Sequence, residues 1–215
     1  MPLVVAGPDR ALARRLQRLA KQGKLRRLYA GIYTDDLVQP LESIVRREIF
    51  ALTSLIAPGS IISHRSALDG GRPTAAGSVF LTGPSRRDYV LPGVTLRMVL
   101  GPGPLDSDTQ IPTFVGDAFV SSQARALLET LAASRGDPGE RRTLGKEGVE
   151  AWMERLISRD VGNGTNKLRD MARSVAEPLS LQDEFRQLDD SRRCSRNWPL
   201  LTNVLPRCRA CHLGR

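Results

Sequence analysis

The spacing of apolar residues assigns most of the chain to helix or strand before composition is considered. Pro8 and Asp9 introduce a run of good helix formers from Arg10 to Gln22, in which Leu12, Leu16 and Leu19 recur on one side at about 100 degrees per residue. Asp9 is the expected N-cap and Gly23 the expected left-handed stop. Leu25 to Tyr29 and Ile32 to Thr34 suit strands, and Ala30-Gly31 between them supplies the turn of a hairpin. After Pro40, a favourable first-turn residue, Leu41, Ile44, Val45, Ile49, Leu52 and Ile56 keep core spacing as far as Pro58-Gly59, which predicts a second helix.

Ser60 to Ser63 reads as a short buried strand, and in the SHRSAL segment that follows Ser63 is placed to cap a short helix through Ser66 and Leu68. From Gly70 to Thr113, Gly-Gly, Gly-Pro and Pro-Gly pairs separate strand-length apolar runs at Val79 to Leu81 and Val94 to Leu100. Ile111 to Val115 and Phe119-Val120 continue that pattern until Ser121 or Ser122 caps a helix bearing Ala124, Leu127, Leu128 and Leu131. Beyond the Gly136-Asp137-Pro138-Gly139 turn the period is helical again. One stripe carries Val149, Trp152, Met153, Leu156 and Ile157, a second Leu168, Met171 and Val175, and after Pro178 a third carries Leu181, Phe185 and Leu188. The chain therefore reads as α+β, with short strands ahead of a helical C-terminal part.

From about Asp190 the pattern stops. The remaining residues show neither period, yet they hold all three cysteines, Cys194, Cys208 and Cys211, and one of the two histidines. Such an abrupt change is what a shifted reading frame produces, and a disordered or foreign tail over 190–215 is the expectation. With every cysteine in the last 22 residues, the body before them contains neither a disulfide framework nor a cysteine metal site.

Charge changes the meaning of the first helix. The chain is 215 residues long with a net charge of +9 and a pI near 10.3, an excess that concentrates polyanions around it. Between Arg10 and Arg27 eight residues are basic and none is acidic. Arg10, Arg14, Arg18 and Lys21 gather opposite the leucine stripe, giving the helix an apolar back and a cationic front. Helix, short turn and basic hairpin make the back half of a winged helix-turn-helix, whose helix enters the major groove while the wing follows phosphate. The competing view of these arginines is a solvated surface. No stretch approaches the roughly 20 apolar residues of a membrane span, so no membrane role and a cytoplasmic location are expected.

Candidate chemistry elsewhere is thin. Cys208-Arg209-Ala210-Cys211-His212 matches the CxxCH pattern of covalent haem, and Cys194 with Cys208, Cys211 and His212 has zinc-ligand types at irregular spacing. Five residues match easily by chance, so no cofactor is expected. His64 has Ser63, Ser66 and Asp69 beside it, but a triad draws its members from separate elements, so a structural histidine is the better reading. Gly101-Pro102-Gly103-Pro104 is a turn, because its prolines lack the donors of a phosphate cradle. Gly162-Asn163-Gly164 reads as a loop between helices.

The segments LQRLAKQGKLRRLYAGIYT, SHRSAL, VFLTGPSRR and VSSQARALLETL, in that order over roughly 9–131, resemble the AbiEi-type antitoxin and transcriptional-regulator family. The resemblance implies a partial winged helix-turn-helix over 1–38, since only Met1 to Pro8 precede the helix, and a mixed α+β domain over 39–189. It implies that Arg14, Arg15, Arg18 and Lys21 on the helix, with Lys24, Arg26 and Arg27 on the wing, contact double-stranded DNA of an inverted repeat in the protein's own operator. It further implies a non-enzymatic, antitoxin-like regulator of a type IV toxin-antitoxin system with a cognate nucleotidyltransferase toxin as partner. The opening and SHRSAL are also similar to the N-terminal regulatory part of some Fic-domain proteins, which transfer AMP from ATP. Their HPFxxGNGR signature is absent, so on that alternative the chain would be an interaction segment without the catalytic part, its partner a Fic-domain protein.

Overall fold

An N-terminal helix lies against a small sheet because its leucines and the strand residues beside them alternate in step. The computed structural model describes residues 3–132, 141–144, 146–159 and 164–194. β1 (Leu3–Val5) is followed by α1 (Arg10–Lys21), β2 (Arg26–Tyr29) and β3 (Ile32–Thr34), and the three strands form an antiparallel sheet in the order β1-β3-β2. Asp9 caps α1 as expected, its Oδ1 accepting from the backbone N–H groups of Ala11 and Leu12 at 2.7 and 3.3 Å. Gly23 adopts φ +74°, and the N–H groups of Gly23 and Lys24 donate to the carbonyls of Ala20 and Leu19, which satisfies acceptors that the last turn would leave open. β1 was not legible in the sequence.

Cross-strand partners share a face. Val4, Tyr33 and Arg27 therefore face α1, where Leu16, Leu25, Tyr33 and Ala6 form a small core with Leu12 and Leu19 packed against it. Leu3 and Ile32 face away, and with Leu28 they join the main core.

α2 (Leu41–Arg47) and α3 (Ile49–Ile56) replace the single helix expected after Pro40. The break is Glu48, at φ −95° and ψ 19°. It redirects the chain from β7 (Val94–Leu100), against which α2 packs, toward β8 (Thr109–Thr113) and β9 (Gly116–Val120), against which α3 packs. The second sheet runs β6-β7-β5-β4-β9-β8, with β4 (Ile61–Ile62), β5 (Ser78–Gly83) and β6 (Arg87–Leu91) completing it. β5–β7 and β4–β9 pair in parallel and the other neighbours antiparallel. β5 is buried along its whole length, as a continuous apolar run between covered faces requires. One face of the sheet presents Val79, Leu81, Leu96 and Met98 to Ile44, Val45, Ile49 and Leu52. β6, too polar to carry a strand pattern, is an outer strand that sequence reasoning missed.

α4 (His64–Leu68) and α5 (Gln123–Leu131) connect the sheet to a helical unit of α6 (Lys146–Arg159), α7 (Gly164–Ala176) and α8 (Gln182–Cys194). Ala124, Leu127 and Leu128 of α5 share a core with Trp152, Met153, Leu168, Ala172 and Val175. The fold is mixed α+β, with eight helices and two sheets among the described residues. Two expectations need correction. α8 continues through Cys194, so helix persists past the Asp190 boundary where periodicity fails. Ser63 precedes α4 but makes no capping bond; its hydroxyl accepts instead from Thr82 Oγ1 at 2.8 Å. The Gly136–Gly139 turn, Gly162 and Asn163 of the interhelical loop, and Cys208, Cys211 and His212 of the haem and zinc patterns lie outside the described residues.

Candidate nucleic-acid interface

The leucine stripe fixes which way α1 points its cations. Leu16 is 4% exposed against the sheet, so the opposite side must face solvent. Arg10, Arg14, Arg18 and Lys21 are exposed there, with Arg15 exposed on the flank. Lys24 continues the row beyond the glycine stop. Among the described residues none of these makes an ion pair, and their charge is not neutralised by any acid of α1.

The two arginines of the β2–β3 hairpin part company. Arg27 is exposed on the face of β2 that carries α1, its Nε donating to the Tyr29 carbonyl at 3.3 Å. Arg26 lies on the other face and its Nη1 donates to the Gln39 carbonyl at 2.6 Å. That carbonyl is itself positioned: Asp36 Oδ1 accepts from the N–H groups of Gln39 and Val38 at 2.9 and 3.0 Å. These two backbone donors, Gln39 first, hold the Asp36 carboxyl below its usual range. Arg26 thus braces the hairpin onto the following loop, while Arg27 lies on the face that carries α1.

A second polar cluster is interior. Arg125 of α5 is fully buried, its Nε donating to Glu129 Oε1 at 2.8 Å, its Nη1 to Asp108 Oδ2 and the Gly103 carbonyl, both at 2.8 Å, and its Nη2 to the Pro102 carbonyl at 2.7 Å. Asp108 also accepts from the N–H groups of Ser122 and Leu105, and Ser122 caps α5 through the N–H of Arg125. The Gly-Pro-Gly-Pro turn is therefore bound by its carbonyls to a guanidinium, a role that sequence reasoning missed.

His64 starts α4 at φ +52° and is 7% exposed. Its N–H donates to Glu129 Oε2 at 3.0 Å, and Nδ1 lies 3.3 Å from the Glu129 carbonyl. A carbonyl only accepts, so Nδ1 carries the proton and Nε2 is bare, buried and without a partner. Burial pushes the His64 pKa below its ordinary value, with the Glu129 carboxylate opposing and the Arg142 guanidinium reinforcing the shift. The serines beside it are occupied elsewhere, Ser63 with Thr82 and Ser66 with the Phe80 N–H at 2.9 Å. The cluster is built as a staple between α4 and α5, and its geometry presents no nucleophile to a substrate.

Among the described residues no group of three or more His, Cys, Asp or Glu is placed to hold a metal ion, and no helix is long and apolar enough to cross a membrane. In comparison with known proteins, no family model matches this chain and no curated protein matches it.

Proposed function

We propose that the chain is a DNA-binding transcriptional regulator of the antitoxin-like class, in which the cationic side of α1 enters the major groove and Arg27 with Lys24 on the wing meets the adjacent backbone. The supporting observation is the segregation of charge: Arg14, Arg18 and Lys21 stand exposed and without ion pairs opposite a packed leucine stripe. A merely solvated helix gains by alternating charge along its surface, because opposite signs three or four residues apart attract. α1 forgoes that gain entirely. By its resemblance to AbiEi-type regulators, the DNA is the protein's own operator and the partner a cognate toxin.

The test is retardation of a duplex taken from upstream of the protein's own coding sequence, across a salt series. Each phosphate-contacting cation adds about one unit to the slope of log affinity against log salt, so the R14A/R18A/K21A variant flattens it by roughly three units. Absence of salt-dependent retardation by the unaltered protein at low ionic strength sinks the proposal.

A further inference from the structure

Alternation along β6 and β7 leaves one strip of the larger sheet open. Leu96 and Met98 face the core under α2, so Thr95, Arg97 and Val99 lie on the opposite face. The antiparallel register adds Asp88, opposite Arg97, and Val90, opposite Thr95, to that face. Over the neighbouring β5 the same face is closed, because Ser78, Phe80 and Thr82 are buried and Thr82 Oγ1 donates to Ser63 at the start of α4. Over β6 and β7 the cover ends: Val90 is 73% exposed, Asp88 is exposed, and Thr95, Arg97 and Val99 are half-buried.

The charges on this strip are unused within the chain. Asp88 and Arg97 are direct cross-strand neighbours, yet neither makes an ion pair among the described residues. Arg97 Nε is buried without an acceptor, a costly state for a charged donor. Arg86, just ahead of the strand on the same face, already has an interaction of its own. What remains open is one acid beside one base, flanked by Val90, Thr95 and Val99.

We propose that this strip is a two-fold contact between copies of the chain. An axis parallel to the strands, midway between β6 and β7, turns Asp88 of one copy onto Arg97 of the other and Arg97 onto Asp88. The same rotation sets each Val90 over the other copy's Thr95. An isologous interface requires that reciprocity, and an acid directly opposite a base supplies it from a single sequence. Sheets pack face to face about 10 Å apart, a gap that a carboxylate and a guanidinium span from opposite sides. These five residues are far fewer than the roughly 20 a side of a standard interface, so the association is weak and concentration-dependent. The contact does not depend on the DNA reading given above.

Sedimentation equilibrium of the full chain, from about 1 μM to about 1 mM, should show the mass rising from 23.6 kDa toward twice that value. D88R and R97D each set like charges across the axis, and each should associate at least about tenfold more weakly. Mixed in equal amounts, the two variants should associate as tightly as the unaltered chain. Their heterodimer regains both opposite-charge pairs, which no rearrangement within one chain can produce. V90D, at a side chain already in solvent, should weaken association while circular dichroism shows an unchanged fold. A mass of 23.6 kDa at every concentration overturns the contact. So does undiminished association in folded D88R, R97D or V90D, and so does a mixture that fails to recover. If D88R or R97D does not fold, V90D decides alone.

Discussion

Arg125 shows why a charged side chain inside a protein must be judged by its partners. Taking a guanidinium out of water costs several kcal/mol, and only a complete set of acceptors offsets that. Here two carboxylates and two carbonyls supply it. Replacing Arg125 with methionine keeps much of the volume but strands Asp108 and Glu129 in the interior; unfolding in urea should show a loss of roughly 3–5 kcal/mol. His64 gives a second prediction. Its folded pKa lies below the ordinary 6.5, so the unfolded chain binds the proton first as pH falls. Its contribution is thus intact above about 6.5 and is lost progressively as pH drops from there through the lowered folded value. His64→Asn, which tolerates the left-handed backbone, should lose less stability than the unaltered protein between pH 7 and pH 5, by paired urea titrations.

At the scale of elements, the boundaries of α1 are the most exposed to test. Gly23 occupies the left-handed region at φ +74°, and a Cβ built there meets nothing within 4 Å. Gly23→Ala therefore isolates the conformational cost, about 1 kcal/mol, without a steric one; thermal melting should register it as a lower midpoint with α1 otherwise intact. The elements also show what periodicity can and cannot reveal. α1, the hairpin, α5 and the helical stripes were legible because each buries one face, and burial of one face is what a period records. β1 has too few residues to display alternation. β6 is an outer strand with Arg87 and Asp88 exposed, so its solvent-facing residues erase the apolar signal. The break at Glu48 leaves the apolar spacing of α2 and α3 almost unchanged, which is why they read as one helix. Likewise the cationic side of α1 was legible from helical spacing. The difference between Arg26 and Arg27 was available from strand alternation, but only with the register known, and β2 shifts register between Arg27 and Tyr29.

Across the whole molecule the two sheets are joined by apolar contact, and α5, whose leucines pack on the helical unit, is tied to the sheet side by the polar bonds of Arg125 and Glu129. Leu3, Leu28 and Ile32 of the small sheet enter the core under α2 and α3, so the hairpin bearing Arg27 is seated on the larger sheet's core. The interior cluster was the least legible part of the chain. In ARALLETL an arginine and a glutamate one turn apart look like the wet side of an amphipathic helix, and only the burial of every residue from Ala124 to Thr130 turns them inward. The same anchoring alters what the Gly-Pro-Gly-Pro turn is. A stretch whose composition suggests a freely moving connector has its carbonyls bound in the interior, and the Leu105 N–H beyond it is bound to Asp108. To open, the turn must withdraw two of the four acceptors of a buried guanidinium, the Pro102 carbonyl from Nη2 and the Gly103 carbonyl from Nη1. Its amide hydrogens should then exchange with solvent on the timescale of cooperative unfolding and not of loop motion.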